Sequence, residues 1–269
     1  MLEIDNVTMR FGGLKAVKDV SLTVAAGDLA GLIGPNGAGK TTLFNVVCGQ
    51  LRPSAGRVLF EGRDVTGWKP HRSIRLGLGR TFQITRPFGR LSLLDNVVIG
   101  AMCREKSLDR ARQAALGRLA QVGLADRAQD TAQNLPLGLR KKLELARILA
   151  TRPRMLLLDE VMGGLGPREI EEMSRTISQI HGEGVSIVLI EHVMPAVMSL
   201  CQRIAVINHG ELIAVGSPQD IRADRRVIKA YLGESVAGDS PGGQGSAAAS
   251  QTAAQAAAQA TTASSATEA

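Results

Sequence analysis

Residues 34–41 have the composition and spacing of a loop that binds phosphate groups. They read GPNGAGKT and fit the pattern G-x-x-x-x-G-K-[ST], between the apolar segment LAGLI and the segment TTLFNVV. Glycines at this spacing let successive backbone N–H groups face an anion, and the N-terminus of the following helix adds its dipole. In this pattern Lys40 reaches the β- and γ-phosphates, and the Thr41 hydroxyl binds Mg²⁺. The alternative, an ordinary glycine-rich turn, does not account for the strand before it and the helix after it.

Two carboxylates at the end of another apolar segment could complete a phosphoryl-transfer site. The segment RMLLLDE ends in Asp159 and Glu160. In such a site Asp159 orients Mg²⁺ and its waters, and Glu160 polarises the attacking water. The alternative is a pair of acids that cap the next turn, which the upstream phosphate loop disfavours.

A basic segment at residues 135–147, LPLGLRKKLELAR, raises a different question. Pro136 and Gly138 should break the chain, so we predict that Arg140, Lys141 and Lys142 lie in the first turn of a helix. Cations there are unfavourable by about 0.3–1 kcal/mol each, because the helix dipole is already positive at that end. The run therefore indicates either an anion that arrives from outside the segment or a solvated basic face.

The remaining pattern predicts the elements that position these residues. LEIDNVTMRF and VSLTVAAGDLAGLIG alternate and predict strands with a turn at AAGD, and GRVLFEGRDV predicts a short strand pair. The continuous apolar segments RMLLLDE, VSIVLIEH and RIAVINHG suit a parallel sheet that is covered on both faces. Helices are predicted between them, so the fold class is α/β with an antiparallel layer at its N-terminal edge. The helical segments are TTLFNVVCGQL, DRARQAALGRLAQVG, RKKLELARILA, REIEEMSRTISQIHGEG and EHVMPAVMSLC.

Composition limits the partners. The chain has 269 residues, 44 % of them hydrophobic, and a net charge of +7, which favours a phosphate ligand, a polyanion or an anionic membrane surface. Aromatic residues make up only 3 %, which leaves little for base stacking, so we expect no nucleic acid partner. No apolar run approaches the ~18–20 residues that span a bilayer, and no secretory signal is visible, so we expect a cytosolic protein. The three cysteines Cys48, Cys103 and Cys201 are expected to be reduced and structural.

The C-terminal segment differs from the rest of the chain. Residues 236–269 are rich in Ala, Gly, Ser, Thr and Gln, and they contain one valine and no larger apolar residue. Such a segment cannot bury enough surface to offset its ordering entropy, so we predict a disordered tail after a folded part at residues 1–235.

The order of the motifs resembles the ATP-binding subunit of an ATP-binding cassette (ABC) transporter. Over residues 1–234 the chain presents Phe11, GPNGAGKTT, TFQ, the 135–147 segment, LLLDE, GGLGP and IEH in that family's order. The resemblance implies the ABC type of P-loop fold, with a mainly parallel sheet core, an N-terminal antiparallel β subdomain and an inserted helical subdomain at roughly residues 87–152. It also implies an ATPase with ATP and Mg²⁺ as cofactors.

The resemblance also assigns roles that the pattern alone leaves open, since Gln83 and His192, taken singly, are more often ordinary polar residues. It implies that Phe11 stacks on adenine, that Gln83 touches Mg²⁺ and relays to membrane subunits, and that His192 contacts the γ-phosphate beside the catalytic Glu160. The implied nucleotide-binding set is Phe11, Gly34, Pro35, Asn36, Gly37, Ala38, Gly39, Lys40, Thr41, Thr42 and Gln83, with Thr41, Gln83 and Asp159 at the metal. The implied signature loop is Leu135, Pro136, Leu137, Gly138 and Leu139, and the implied D-loop is Gly163, Gly164, Leu165 and Gly166.

In this family two ATPase subunits face each other, and each signature helix points at the ATP that the other subunit holds. The resemblance therefore implies that residues 138–142 face a nucleotide in trans. Two departures from the family pattern concern this function: Pro136 and Leu137 replace a serine and a glycine, and Gly166 replaces an Asp or Asn. Both predict unequal ATP sites in the assembled transporter; the alternative is that backbone donors suffice and the sites are equivalent.

Longer segments resemble one of the two ATPases of branched-chain amino acid importers, among them RTFQITRPFGRLSLLDNVVIGA and IEHVMPAVMSLCQRIAVINHGELIAVGSPQDI. This implies a second, non-identical ATPase, two membrane permeases, an indirect periplasmic binding protein, and a peripheral place on the cytoplasmic face of the inner membrane. Similar systems carry urea, amides or aromatic acids, so the cargo stays open. The alternatives are a soluble ABC ATPase that acts on ribosomes or DNA and a GTP-binding switch, although no N-K-x-D motif occurs.

Overall fold

Strands in the described part of the chain form two separate sheets. The computed structural model describes residues 1–81 and 87–236. The strands are β1 (Leu2–Phe11), β2 (Leu14–Val24), β3 (Leu29–Ile33), β4 (Ala55–Phe60), β5 (Arg63–Asp64), β6 (Leu78–Arg80), β7 (Met155–Asp159), β8 (Ser186–Ile190), β9 (Arg203–Asn208) and β10 (Glu211–Gly216). The helices are α1 (Lys40–Val47), α2 (Pro70–Leu76), α3 (Leu93–Ala101), α4 (Leu108–Gln121), α5 (Leu137–Leu149), α6 (Pro167–Gly182), α7 (Met194–Leu200), α8 (Pro218–Ala223) and α9 (Arg225–Val236), with a short 3₁₀ turn at Ala125–Arg127.

The first sheet is antiparallel and lies at the N-terminal edge, as the alternating pattern predicted. Its strand order is β2-β1-β4-β5, and Leu2 pairs with Val24 on one side and with Phe60 on the other. Leu2 and Ile4 are buried on one face of β1, because alternate residues of a strand face the same side, and Val7 and Met9 are buried after a register shift between Ile4 and Val7. This face packs with α1 and one face of the second sheet in a common apolar cluster.

The second sheet has six strands in the order β10-β9-β3-β8-β7-β6. All its neighbouring strands are parallel except β9 and β10, and every residue of β3, β7 and β8 is buried. The carboxyl ends of parallel strands meet at one edge of a sheet, where such folds place their ligands. Because β8 lies between β3 and β7, the segments that follow these three strands are neighbours, which confirms the predicted α/β fold class.

Three helices, α3, α4 and α5, lie between β6 and β7 in the chain. They bury Leu93, Leu119 and Leu143 in the larger apolar cluster. Their place in the chain agrees with the inserted helical segment of the predicted fold; the limits 87–152 stay a prediction. No helix of the described residues is long and apolar enough to cross a membrane.

Helix α5 begins earlier than the sequence indicated. Pro136 precedes the helix with φ −53° and ψ 154°, and Leu137 is the first helical residue. The fixed φ of proline suits entry to a helix, so Pro136 stands directly before the helix and does not separate it from a preceding loop that includes Gly138. Gly138 is buried within the first turn, and the prediction that Lys141 and Lys142 lie in that turn is therefore wrong, since both fall in the second. At the C-terminus, α9 ends at Val236, and residues 237–269 lie outside the described part.

Candidate functional site

The loop between β3 and α1 is wedged against two other strands, which explains two of its glycines. A Cβ atom on Gly34 would lie 2.0 Å from the Ile207 carbonyl oxygen, and one on Gly39 would lie 2.3 Å from the Ala16 carbonyl oxygen. Gly39 also has φ 104°, which L side chains rarely adopt. The loop is anchored further where Gly210 N–H donates to the Ala38 carbonyl at 2.9 Å. Its backbone is thus fixed before any ligand arrives.

Lys40 is the first residue of α1 and folds back over the loop. Its Nζ donates to the carbonyl oxygens of Gly34 at 2.7 Å and Pro35 at 2.8 Å. Thr41 and Thr42 follow in the first turn of α1, and the tip of the loop at Asn36 and Gly37 is exposed. The structure therefore brings all the predicted loop residues to one place, with a cation and a helix N-terminus beside them.

Asp159 ends β7, and its carboxylate is almost completely buried, at 1 % exposure. Its Oδ2 accepts from Arg80 Nη2 at 2.8 Å, and its backbone N–H donates to Thr81 Oγ1 at 3.1 Å. Burial raises the pKa of Asp159, while the Arg80 guanidinium opposes this shift; the charge of Glu160 raises the pKa further, and that of Lys40 lowers it. The buried Oδ1 has no hydrogen-bond partner among residues 1–81 and 87–236.

These donors fit a magnesium ion. The buried Asp159 Oδ1 is a hard oxygen ligand without a partner in the described residues, and Thr41, in the first turn of α1, offers a hydroxyl. Magnesium prefers oxygen and is usually held by one or two protein groups, waters and substrate phosphates. No group of three or more His, Cys, Asp or Glu residues that could hold a metal ion on its own occurs in the described part of the chain. Gln83, the third predicted ligand, lies outside the described residues.

Arg80 was not singled out from the sequence. Its Nη1 donates to Asn45 Oδ1 at 2.5 Å and to Gln50 Oε1 at 3.2 Å, and its guanidinium lies over the Phe44 ring at 5.7 Å. Arg80 therefore connects the end of β6 and the α1 segment to Asp159. The available signal was an arginine directly after the short segment LGLG, between hydrophobic residues of the chain.

Glu160 follows β7 in a left-handed conformation, with φ 51°. Its N–H donates to the Ile190 carbonyl at 2.9 Å, and its own carbonyl accepts from Lys141 Nζ at 2.7 Å. His192, which follows β8, lies beside the same turn, since a Cβ atom on Gly163 would be 3.2 Å from His192 Cε1. The structure thus brings Glu160 and His192 to adjacent positions at the sheet edge.

Glu191 is a second residue that the sequence reasoning missed. It is 1 % exposed; its Oε1 accepts from Met162 N–H at 2.6 Å and its Oε2 from His192 N–H at 3.3 Å. Burial raises the pKa of Glu191, against the effect of these hydrogen bonds and of the His192 and Lys141 charges. Its position inside the apolar segment VSIVLIEH gave no separate signal.

The basic run of α5 does not point outward as expected. Lys141 Nζ donates to the carbonyls of Glu160 and Gly163, each at 2.7 Å, and Lys142 Nζ donates to Glu172 Oε2 on α6 at 2.9 Å. The expectation that these two cations face a nucleotide in trans is therefore wrong for the subunit in this conformation. The packing of α5 against the turn after β7 and against α6 directs both side chains towards neighbouring segments of the same chain.

The predicted signature loop and D-loop pack together within one subunit. A Cβ atom on Gly164 would lie 3.0 Å from Leu137 Cδ2, and one on Gly138 would lie 3.7 Å from Leu165 Cδ2. In the signature loop Leu135 and Gly138 are buried, Leu139 is half-buried, and Pro136 and Leu137 are exposed. In the D-loop Gly163 and Leu165 are half-buried, and Gly164 and Gly166 are exposed.

Phe11 lies apart from both loops in the chain, as the half-exposed last residue of β1.

A phosphate loop after β3, a buried aspartate and a glutamate after β7 and a histidine after the intervening β8 define a P-loop nucleoside triphosphatase. The family model described as ABC transporter matches residues 17–163, more than half of the chain, so the protein belongs to the ATP-binding cassette family of ABC transporters. A second family model, described as Branched-chain amino acid ATP-binding cassette transporter, matches residues 211–237. As a member of this family the chain is an ATPase.

Individual relatives agree with this assignment. The chain is 38 % identical over 251 residues to the high-affinity branched-chain amino acid transport ATP-binding protein BraF of Pseudomonas aeruginosa, covering 87 % of this chain and 98 % of BraF. It is 37 % identical to LivG of Escherichia coli K12, described in the same words, with the same coverage. Among solved structures, the ADP conformation of MJ1267, an ATP-binding cassette of an ABC transporter, matches with a TM-score of 0.79 at 30 % identity, over 87 % of this chain and 98 % of that chain.

Proposed function

We propose that this ATPase powers an importer for branched-chain amino acids or a related small polar, amide or aromatic solute. The observation that carries the proposal is the shared edge of the sheet, where Lys40, Glu160 and His192 follow three neighbouring strands. The similarity to BraF and LivG along almost their whole length supports the importer branch.

Each residue of the edge has a role that its surroundings allow. Lys40 would exchange the carbonyls of Gly34 and Pro35 for the β- and γ-phosphates of ATP. Glu160 would polarise the attacking water, and His192 would contact the γ-phosphate from the adjacent strand end. Phe11 would stack on the adenine.

Magnesium would be held by Thr41, Asp159 and Gln83. When bound, it neutralises charge on the β- and γ-phosphates. The chain's own contribution is a carboxylate that is already oriented. Arg80 holds Oδ2 of Asp159, so that Oδ1 could coordinate the metal or accept a hydrogen bond from one of its waters.

The proposed partners are those of the branched-chain amino acid importers. The subunit would pair with a second, non-identical ABC ATPase, bind two membrane permeases, serve a periplasmic binding protein indirectly and have no nucleic acid partner. It would lie peripherally on the cytoplasmic face of the inner membrane. The relatives support this, since both are described as transport ATP-binding proteins.

Co-purification followed by reconstitution tests the proposal. The full chain, purified with its bound partners from a membrane fraction, should bring two permeases and a second ATPase. In vesicles, its ATP turnover should rise when the binding protein and a branched-chain amino acid are present together. Ribosomes or DNA in place of permeases would overturn the importer function in favour of a soluble ABC ATPase.

A further inference from the structure

Lys141 belongs to α5 but binds the turn that follows β7. Its side chain is 6 % exposed, and its ammonium donates to the carbonyl of Glu160 at the start of the turn and to that of Gly163 at its end, each at 2.7 Å. A helix of the inserted segment thus holds both ends of the turn that carries the proposed catalytic carboxylate.

Glu191 binds the same turn from the other side. Its Oε1 accepts from Met162 N–H at 2.6 Å, in the middle of the turn, and its Oε2 accepts from His192 N–H. Desolvation lowers the pKa of Lys141, while the charges of Glu191, Glu160 and Glu144 oppose that shift. Two buried, opposite charges therefore hold residues 160–163 from two elements, α5 and the end of β8.

The geometry of Glu160 gives this contact a consequence. A glutamate with φ 51° is held in a sparsely populated conformation, and such residues persist only where their surroundings determine them. Three hydrogen bonds do so here: Glu160 N–H donates to the Ile190 carbonyl, and the Glu160 carbonyl accepts from Lys141 Nζ and, at 3.2 Å, from Gly163 N–H. Rotation of this peptide would change the direction of the carboxylate.

We propose that Lys141 is a positioning residue, which orients Glu160 for hydrolysis and couples it to the signature helix α5. The inference rests on the proposed role of Glu160. Helix α5 begins at Leu137 in the signature loop, and that residue packs against Gly164 just beyond the turn. A shift of α5 is therefore transmitted to the Glu160 peptide through Lys141.

The assembled transporter in vesicles provides the test, with Lys141→Met compared with Lys142→Met. Methionine keeps the length of the side chain and removes the donors. We expect Lys141→Met to lower kcat about 10- to 100-fold, the cost of a small displacement of a catalytic group, while KM for ATP stays within about twofold because nucleotide binding is untouched. Lys142→Met removes an ion pair with the partly exposed Glu172 and should leave both values near wild type.

A double variant separates positioning from stability. Lys141→Met removes one of the positive charges that act on the buried Glu191 and should lower the melting temperature. Lys141→Met/Glu191→Gln removes both charges and should recover the melting temperature but not kcat, because no donor reaches the carbonyls of Glu160 and Gly163. A folded Lys141→Met transporter with wild-type kcat, or a double variant that recovers both quantities, would overturn the inference. Wild-type turnover by Glu160→Gln would instead contradict the proposed function.

Discussion

Arg80 Nη2 lies 2.8 Å from Asp159 Oδ2, and the two side chains are 7 % and 0 % exposed. The carboxylate that we assign to magnesium is thus held by an arginine on the neighbouring strand, which also bonds Asn45 on α1. This relationship links the helix that begins in the phosphate loop to the acidic strand end, and it fixes which oxygen of Asp159 faces away from the guanidinium.

Replacement of Arg80 by methionine should destabilise the protein strongly. Removing one partner of a buried ion pair leaves an uncompensated charge, which costs about 3–5 kcal/mol. Chemical denaturation of the nucleotide-free chain measures the free energy of unfolding. Arg57→Met is the matched control, since the Arg57–Asp5 pair is 61 % and 40 % exposed and should contribute only about 0–1 kcal/mol. Equal losses of unfolding free energy in the two variants would show that the buried Arg80–Asp159 pair contributes no more to stability than the exposed Arg57–Asp5 pair.

Lys40→Ala should lose nucleotide binding while it keeps most of its stability. In the nucleotide-free protein the Lys40 ammonium bonds two loop carbonyls that water can also satisfy, whereas with ATP bound it meets the charge of the phosphates. Titration with a fluorescent ATP analogue and thermal unfolding measure the two quantities. Lys229→Ala, at an exposed position on α9, is the control. Unchanged ATP affinity in Lys40→Ala would contradict the assignment of the loop.

The sequence predicted the strands that surround the site because their patterns are strong. The alternation in β1 and β2 and the continuous apolar runs of β3, β7, β8 and β9 gave the right element type in each case. Two strands, β6 and β10, were not predicted, because β6 has only three residues and the mixed pattern of β10 carries little periodicity. Four helices were also missed. Three of them, α2, α8 and α9, are short or polar, and the fourth, α3, follows a segment of turn residues.

The site was predicted where a motif carries it and missed where tertiary contacts create it. The phosphate loop, Asp159, Glu160 and His192 all meet at the sheet edge. Arg80, Lys141 and Glu191 acquire their roles from partners 79, 19 or 29 residues away, a relationship that no local spacing encodes. The direction of the α5 cations likewise depends on partners elsewhere in the chain, the carbonyls of Glu160 and Gly163 for Lys141 and the carboxylate of Glu172 for Lys142.

The raised pKa of Glu191 predicts a pH effect of unusual sign. Between its folded-state pKa and the ordinary value of 4.5, the folded protein binds a proton that the unfolded chain does not. Stability from this group therefore rises as the pH falls through that window. Relative to Glu191→Gln, which cannot titrate there, the wild type should gain unfolding free energy on acidification towards pH 4.5.

Glu172→Gln is the control for that measurement because its shift has the opposite direction. The hydrogen bond and charge of Lys142 lower the pKa of Glu172, so its contribution is present above 4.5 and is lost as the pH falls through the lowered value. Denaturation curves across this range compare the three proteins. A wild type that loses stability relative to Glu191→Gln on acidification would contradict the effect of burial on Glu191.

Truncation after Val236, the last residue of α9, should leave the melting temperature unchanged. The removed residues, 237–269, include no apolar residue larger than alanine, so they offer no hydrophobic face to the folded part. Differential scanning calorimetry of the full and truncated chains is the measurement. A drop of several degrees would show that the segment binds the rest of the protein.

The two ATP sites of the assembled transporter should be unequal. The chain has a full set of residues for its own nucleotide, but Pro136 and Leu137 replace the usual serine and glycine of the signature loop, and Gly166 lacks the usual D-loop side chain. In the proposed pair of ATPases these positions would act on the ATP of the partner. Proline has neither a hydroxyl nor an N–H group, so two donors are missing, and Lys141 and Lys142 do not replace them because they are bound within the subunit. One lost charge-assisted hydrogen bond is worth about 1.5–3 kcal/mol, enough to slow that site about tenfold or more.

Disabling each subunit's catalytic glutamate separately in the reconstituted pair measures this asymmetry. Glu160→Gln here should remove most of the ATP turnover, because this chain's own nucleotide faces the signature loop of the partner, and the matching change in the partner should remove less. Pro136→Ser should then raise turnover at the partner's site without loss of stability, since Pro136 already has the extended backbone of an N-cap, a position that serine favours. Equal losses from the two glutamate variants, or a larger loss from the partner's, would mean that the backbone donors of Leu137 and Gly138 suffice and that the sites are equivalent.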